Sequence, residues 1–67
     1  MEPVEALAQH LCISTDEIQV WNDGSFTKES NDRVEYYVLD EEEKQAKMPD
    51  TWAHFETIIG EYYIYKV

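Results

Sequence analysis

Hydrophobic positions along the chain follow two different periods. In PVEALAQHL, residues 3–11, Val4, Leu7, Ala8 and Leu11 recur at intervals of three and four. That spacing lays apolar side chains along one face of a helix, and Pro3 suits a first turn, where its missing amide is not needed. The pattern predicts a helix over 3–11. STDE, Ser14 to Glu17, matches a capping box and predicts a short helical turn. The β-branched, alternating IQVW of residues 18–21 then predicts extended chain. Asn22-Asp23-Gly24 is a turn signal. SFTKES and RVEYYVL flank Asn31-Asp32 as the arms of a hairpin, with Phe26, Val34, Tyr36 and Val38 inward and the intervening Thr, Lys and Glu facing water.

After Leu39 the pattern turns abruptly polar, with four acids from Asp40 to Glu43. Asp40 and Glu43 have the spacing of an N-cap and its reciprocal partner. Glu41 and Glu42 fall in a first turn, where the helix dipole favours negative charge. Lys44 and Lys47 lie toward the other end, and Pro49 stops the helix by restricting Met48. Asp50 or Thr51 is expected to cap another helix carrying Trp52, Phe55 and Ile59 on one side, with Gly60 at its C-terminus. EYYIYKV, residues 61–67, reads as a final strand joining the hairpin. The expected fold class is α+β in a single domain, 1–67. It has an N-terminal helix, a small antiparallel β-sheet of about three strands, and one or two short helices before the last strand.

Composition supports a folded chain: 43% hydrophobic and 13% aromatic residues in a length of 67 do not describe a disordered acidic tail. A domain this small buries only about 60% of its unfolded surface, so self-association into a homodimer would add useful burial. Cys12, the single cysteine, excludes an internal disulfide and points to a reducing, cytoplasmic compartment. No apolar run is long enough to span a bilayer. Beginning at Met1 with an acidic N-terminus, the chain is expected to be complete and without a signal peptide.

Charge changes the picture most. Fifteen acids against five bases give a net charge of −10 and a pI near 4.3. Such a surface repels nucleic acids and anionic membranes and is drawn to basic surfaces.

Chemistry is harder to place. His10, Cys12 and His54 share no zinc spacing, and aligning Gly24 with the EF-hand glycine leaves Gln19, Trp21 and Ser30 at ligand positions. No metal or cofactor is therefore expected. A Cys12–His10 nucleophile is outweighed by a small buried cysteine behind an amphipathic helix, so no catalytic residue is assigned and the chain is not expected to be an enzyme. VEALAQHLCISTDEIQ has the rhythm of a helix–turn–helix, but its second helix would present Thr15, Asp16, Glu17 and Gln19 where groove readers carry basic or amide side chains.

What remains is the acidic surface. Successive helical side chains turn by roughly 100°, so the run from Asp40 to Glu43 cannot form one face by itself. A DNA-like face must recruit acids from elsewhere, and the candidate partner-binding set is Asp16, Glu17, Asp32, Glu35, Asp40, Glu42 and Glu43, with Glu56 or Glu61 as further donors. From charge alone, a solvated acidic surface that only confers solubility is the favoured reading.

EALAQHLCISTDEI, NDGSF and VEYYVLDEEEKQAK together resemble small proteins commonly encoded by phages and prophages. In those proteins a short helix and acidic turn precede patterns such as EYLVLTDEEA. The matching positions are Glu5 to Ile18, Asp23 to Phe26 and Glu35 to Glu43, about two-thirds of the chain. The Thr before the acids is absent here, and the segment from Thr51 to Val67 departs from the pattern. The resemblance implies the class of small acidic inhibitors that includes anti-CRISPR proteins, restriction inhibitors and uracil-DNA glycosylase inhibitors. It implies a DNA-mimicking partner surface acting in the host cytoplasm, on a basic, nucleic-acid-binding host protein. The other reading from the sequence is a structural or regulatory module that dimerises or packs on a partner through its aromatic sheet.

Overall fold

A computed structural model of the chain describes residues 1–47 and 54–67. Helix α1 (Pro3–Leu11) opens the fold, and a 3-10 turn (Thr15–Glu17) leads into β1 (Ile18–Val20). Strands β2 (Phe26–Lys28) and β3 (Asn31–Leu39) follow, then α2 (Glu41–Lys47), β4 (Phe55–Ile59) and β5 (Tyr62–Lys66). The strands form one antiparallel sheet in the order β1-β2-β3-β5-β4. The architecture is α+β as expected, with five strands where about three were expected.

The local signals act as the pattern predicts at two junctions. Ser14 accepts from the Asp16 amide at 3.3 Å while the Ser14 amide donates to Glu17 at 3.0 Å. Asp40 accepts from the Glu43 amide at 2.8 Å, and the Asp40 amide donates to Glu43 at 3.3 Å. The same device, unforeseen, starts α1: the Glu2 amide donates to Glu5 Oε1 at 2.7 Å. Each removes an orphan amide that a helix start leaves unpaired.

Helix α1 packs its buried Ala6, Leu7 and Ala8 on one face of the sheet, against Ile18, Phe26, Tyr36, Val38 and Ile64. His10 Nε2 lies 3.5 Å from Glu56 on β4 and ties the helix to that edge. The opposite face carries Leu39, Tyr63 and Tyr65, with α2 against β3 and β5. Phe55 meets the Tyr65 ring edge-on at 5.7 Å, and Lys44 lies 4.2 Å over the Tyr63 ring.

Several expectations need correction. Phe55 and Ile59 belong to strand β4, not to a helix; Met48, Pro49, Asp50, Thr51 and Trp52 lie outside the described residues. Phe55 and Ile59 have helix-like spacing yet face opposite sides of the sheet, and the β4–β5 register shifts between Phe55 and Thr57. The shift places Phe55, opposite Tyr65, and Ile58, opposite Tyr63, on the same face. Gly60 does adopt the expected left-handed conformation, φ 59°, but in the two-residue turn between β4 and β5.

The β2–β3 turn is Glu29-Ser30, one step before Asn31-Asp32, which already belongs to β3. Thr27 does not face water: it is 3% exposed, beneath Trp21, whose indole N–H donates to Thr27 Oγ1 at 2.9 Å. Cys12 is exposed instead of buried. It takes φ 59° at the end of α1, with the Ile13 amide donating back to Ala8 O at 3.1 Å. This left-handed closure sends Ile13 to the core and leaves the cysteine outside.

A methyl group added at Gly60 would meet only Met1 Sδ, at 3.7 Å, so its cost lies in the backbone. Gly60→Ala is expected to lower stability by about 1–2 kcal/mol, read as a lower urea midpoint with unchanged slope. An unchanged midpoint would contradict the turn assignment.

Candidate acidic interface

The expected partner-binding acids fall into three places. Asp40, Glu42 and Glu43 lie at the start of α2, where β3 ends. Asp32 and Glu35 lie near the opposite end of β3 and beside the β1–β2 loop. Asp16 and Glu17 are on the 3-10 turn, held to the β2–β3 turn by the Glu29 amide, which donates to Glu17 O at 2.9 Å. At about 3.3 Å per residue, the five-residue step from Glu35 to Asp40 along β3 separates the nearest members of the first two groups by about 16 Å. The seven acids do not make one continuous patch.

Tertiary packing adds partners that sequence spacing could not. Around Tyr62, four carboxylates converge from separate segments: Glu61 from the β4–β5 turn, Glu2 from the start of α1, and Asp40 and Glu43 from the α2 cap. The Tyr62 hydroxyl pKa is raised first by desolvation and then by the charges of Glu61, Glu2, Asp40 and Glu43. The same hydroxyl donates to Met1 O at 3.2 Å. Glu61 was expected only as a further donor and Glu2 was missed, because nothing in their spacing links residues 2, 40, 43 and 61.

The other end forms a cleft of about 440 Å³ lined by Trp21, Asp23, Thr27, Asp32 and Glu35, among others. Trp21-Asn22-Asp23-Gly24 shapes its rim. The Gly24 amide donates to Trp21 O at 3.1 Å, and the Trp21 amide to Ser25 O at 3.0 Å. Gly24, at φ 90°, takes the left-handed position that ends a three-residue hairpin loop. Asp23 Oδ1 accepts both the Ser25 amide, 3.0 Å, and its hydroxyl, 2.7 Å. Burial raises the pKa of Tyr37 on β3, and the Glu35 and Asp23 charges raise it further.

Aromatic side chains, the usual anchors of an interface, differ in availability here. Trp21 is 46% exposed. Tyr37 is half-buried, and Tyr63 is engaged by Lys44 and packs near Phe55, with ring centroids 6.4 Å apart. Lys44 also pairs with Glu41 at 3.3 Å. Hydrogen bonding from Tyr63, Gln45 and Lys44 lowers the Glu41 pKa. Among the described residues, no group of three or more His, Cys, Asp or Glu side chains is placed to hold a metal ion. Nor, among them, is any helix long and apolar enough to cross a membrane.

Three tyrosines give this charge distribution a measurable sign. Tyr37, Tyr62 and Tyr65 are all raised above the ordinary value of 10.0, Tyr65 chiefly by burial. The folded state therefore binds these protons more tightly than the unfolded chain does. Their contribution to stability is complete below pH 10 and is lost as pH rises through the folded values. Urea midpoints measured upward from pH 8 are expected to fall only beyond about pH 10, together with tyrosinate absorbance appearing later than in the denatured chain. Comparison of the chain with known protein families, with curated proteins and with solved structures finds no match.

Proposed function

We propose that the protein is a non-enzymatic inhibitor of the anti-CRISPR kind. It docks an acidic, DNA-mimicking surface onto the basic, nucleic-acid-binding surface of a host defence protein. The observation that carries this reading is the convergence of Glu2, Asp40, Glu43 and Glu61 around Tyr62, in a chain of net charge −10. Charge density supports it. The longest dimension of the chain is 29 Å, and a DNA duplex of that length, at one charge per about 1.7 Å, carries about 17 charges. Fifteen acids on this chain are of the same order. A basic protein approaching either partner meets a comparable field, which speeds encounter and disfavours uncharged competitors.

A second reading rests on a different observation. The open sheet leaves β1 and β4 as edges, with Val20 and Trp21 exposed at one and Phe55 and Ile58 at the other. Under this reading the protein is a phage structural or regulatory module that dimerises or packs on a partner through its aromatic sheet, and the charge is incidental.

Immobilised protein incubated with extract of a susceptible host is expected to retain a nucleic-acid-binding protein at about 0.1 M salt, where charges interact over about 10 Å, and to release it at about 1 M, where the range is about 3 Å. Glu42→Lys with Glu61→Lys leaves the capping bonds intact and should weaken capture at least tenfold without altering the thermal midpoint. Capture that ignores both salt and charge reversal favours the aromatic-sheet module. Recovery of no nucleic-acid-binding protein at low salt sinks the inhibitor reading.

A further inference from the structure

Strand β3 carries an irregularity that no sequence pattern announced. Pairing from the hairpin turn, Lys28↔Asn31, places Asp32 opposite Thr27; pairing from the other end, Phe26↔Tyr36, places Glu35 opposite the same threonine. A regular ladder would send residues three apart to opposite faces. The register shift instead brings both carboxylates to the Thr27 face, the face bearing the cleft. Asp32 is exposed and Glu35 half-buried, and neither carboxylate has a hydrogen-bond or ion-pair partner among the described residues. Lys28 lines an adjoining groove of about 190 Å³ with Asp32 but forms no ion pair with it.

Beside these acids stands Trp21. Its indole N–H is fixed to Thr27, so the ring is held in place while nearly half of the residue remains open to solvent. The indole supplies a flat, electron-rich face, and the two carboxylates supply charge along its border. A metal ion would use only the oxygens, and no metal-holding trio exists among the described residues. A guanidinium uses both features: it is planar, weakly hydrated, stacks on aromatic faces and accepts paired carboxylates. Lysine, a compact and strongly hydrated point charge, would gain less.

We infer that this cleft receives an arginine side chain presented by a protein partner, stacked on Trp21 and paired with Asp32 and Glu35. The inference rests on the inhibitor reading for the partner's identity, since arginine is abundant on surfaces that bind phosphates. The volume, about 440 Å³, lies within the 300–1,000 Å³ scale of ligand sites, and its open side admits a side chain carried on a larger surface. Tryptophan and arginine are also the side chains that most often dominate interface energetics.

The test is a titration of the isotopically labelled protein with acetyl-Gly-Arg-Gly-amide, following the Trp21 indole N–H resonance, with the lysine peptide in parallel. A saturable shift is expected for the arginine peptide, with at least fivefold weaker binding of the lysine peptide. Asp32→Asn with Glu35→Gln should weaken arginine binding at least tenfold, whereas Gln9→Ala, at an exposed position on α1, should leave it unchanged. The spectral dispersion of each variant confirms its fold. No saturable shift, equal binding of the two peptides, or undiminished binding by the double variant overturns the assignment. Capture of a nucleic-acid-binding protein without peptide binding overturns the cleft and leaves the inhibitor reading standing. Peptide binding without such capture does the reverse.

Discussion

The fold depends on β5 lying inside the sheet with both of its faces covered. Ile64 and Tyr65 are each 0% exposed, and because successive strand residues point to opposite sides, they cannot enter the same core. Ile64 joins the cluster under α1, and Tyr65 faces the layer that includes Phe55 and α2. One strand therefore requires two covering layers, and a chain of 67 residues supplies both by placing a helix on each side. The cost is visible in the Tyr65 hydroxyl, which is buried without a hydrogen-bond partner among the described residues. Such an atom forfeits its hydration, so the packing around the ring must compensate.

Acidic side chains have two kinds of work in this structure. Glu5, Glu17, Asp40 and Glu43 accept backbone amides at helix or turn starts, and Asp23 does so in the β1–β2 loop. These bonds account for why particular acids occupy particular positions, yet they leave the charge intact. An acidic surface and a set of helix caps are thus made from the same residues. This is why the run from Asp40 to Glu43, fully explained as a capped helix start, still contributes to the field around Tyr62.

The readings that went astray have separate physical causes, and the first is a register shift. Period-two alternation identifies a strand only while its ladder is regular, and a bulge resets the parity. In β4 the shift near Glu56 places Phe55 on the face of Ile58 and opposite to Ile59, so the i, i+4 spacing of Phe55 and Ile59 that suggested a helix describes no shared face. In β3 a comparable shift brings Asp32 and Glu35 together. Thr27 looked solvent-facing because alternation identifies the side of a strand but not whether Trp21 folds over it. Cys12 looked like a core residue because the helical stripe continues to Leu11, and only the left-handed closure turns it outward.

What the sequence determined by itself was local: α1 from its apolar spacing, the Ser14 and Asp40 caps, the turn at Gly24, the inward set of Phe26, Tyr36 and Val38, and the excess negative charge. Each follows from interactions within a few residues or from simple counting. Tertiary structure decided the rest: five strands instead of about three, the gathering of Glu2, Asp40, Glu43 and Glu61, and the cleft between Trp21 and the two acids of β3. Those arrangements join residues up to about sixty positions apart or depend on a register shift. Neither leaves a periodic trace, because side-chain spacing along a chain records which way a residue points but not which distant segment it meets.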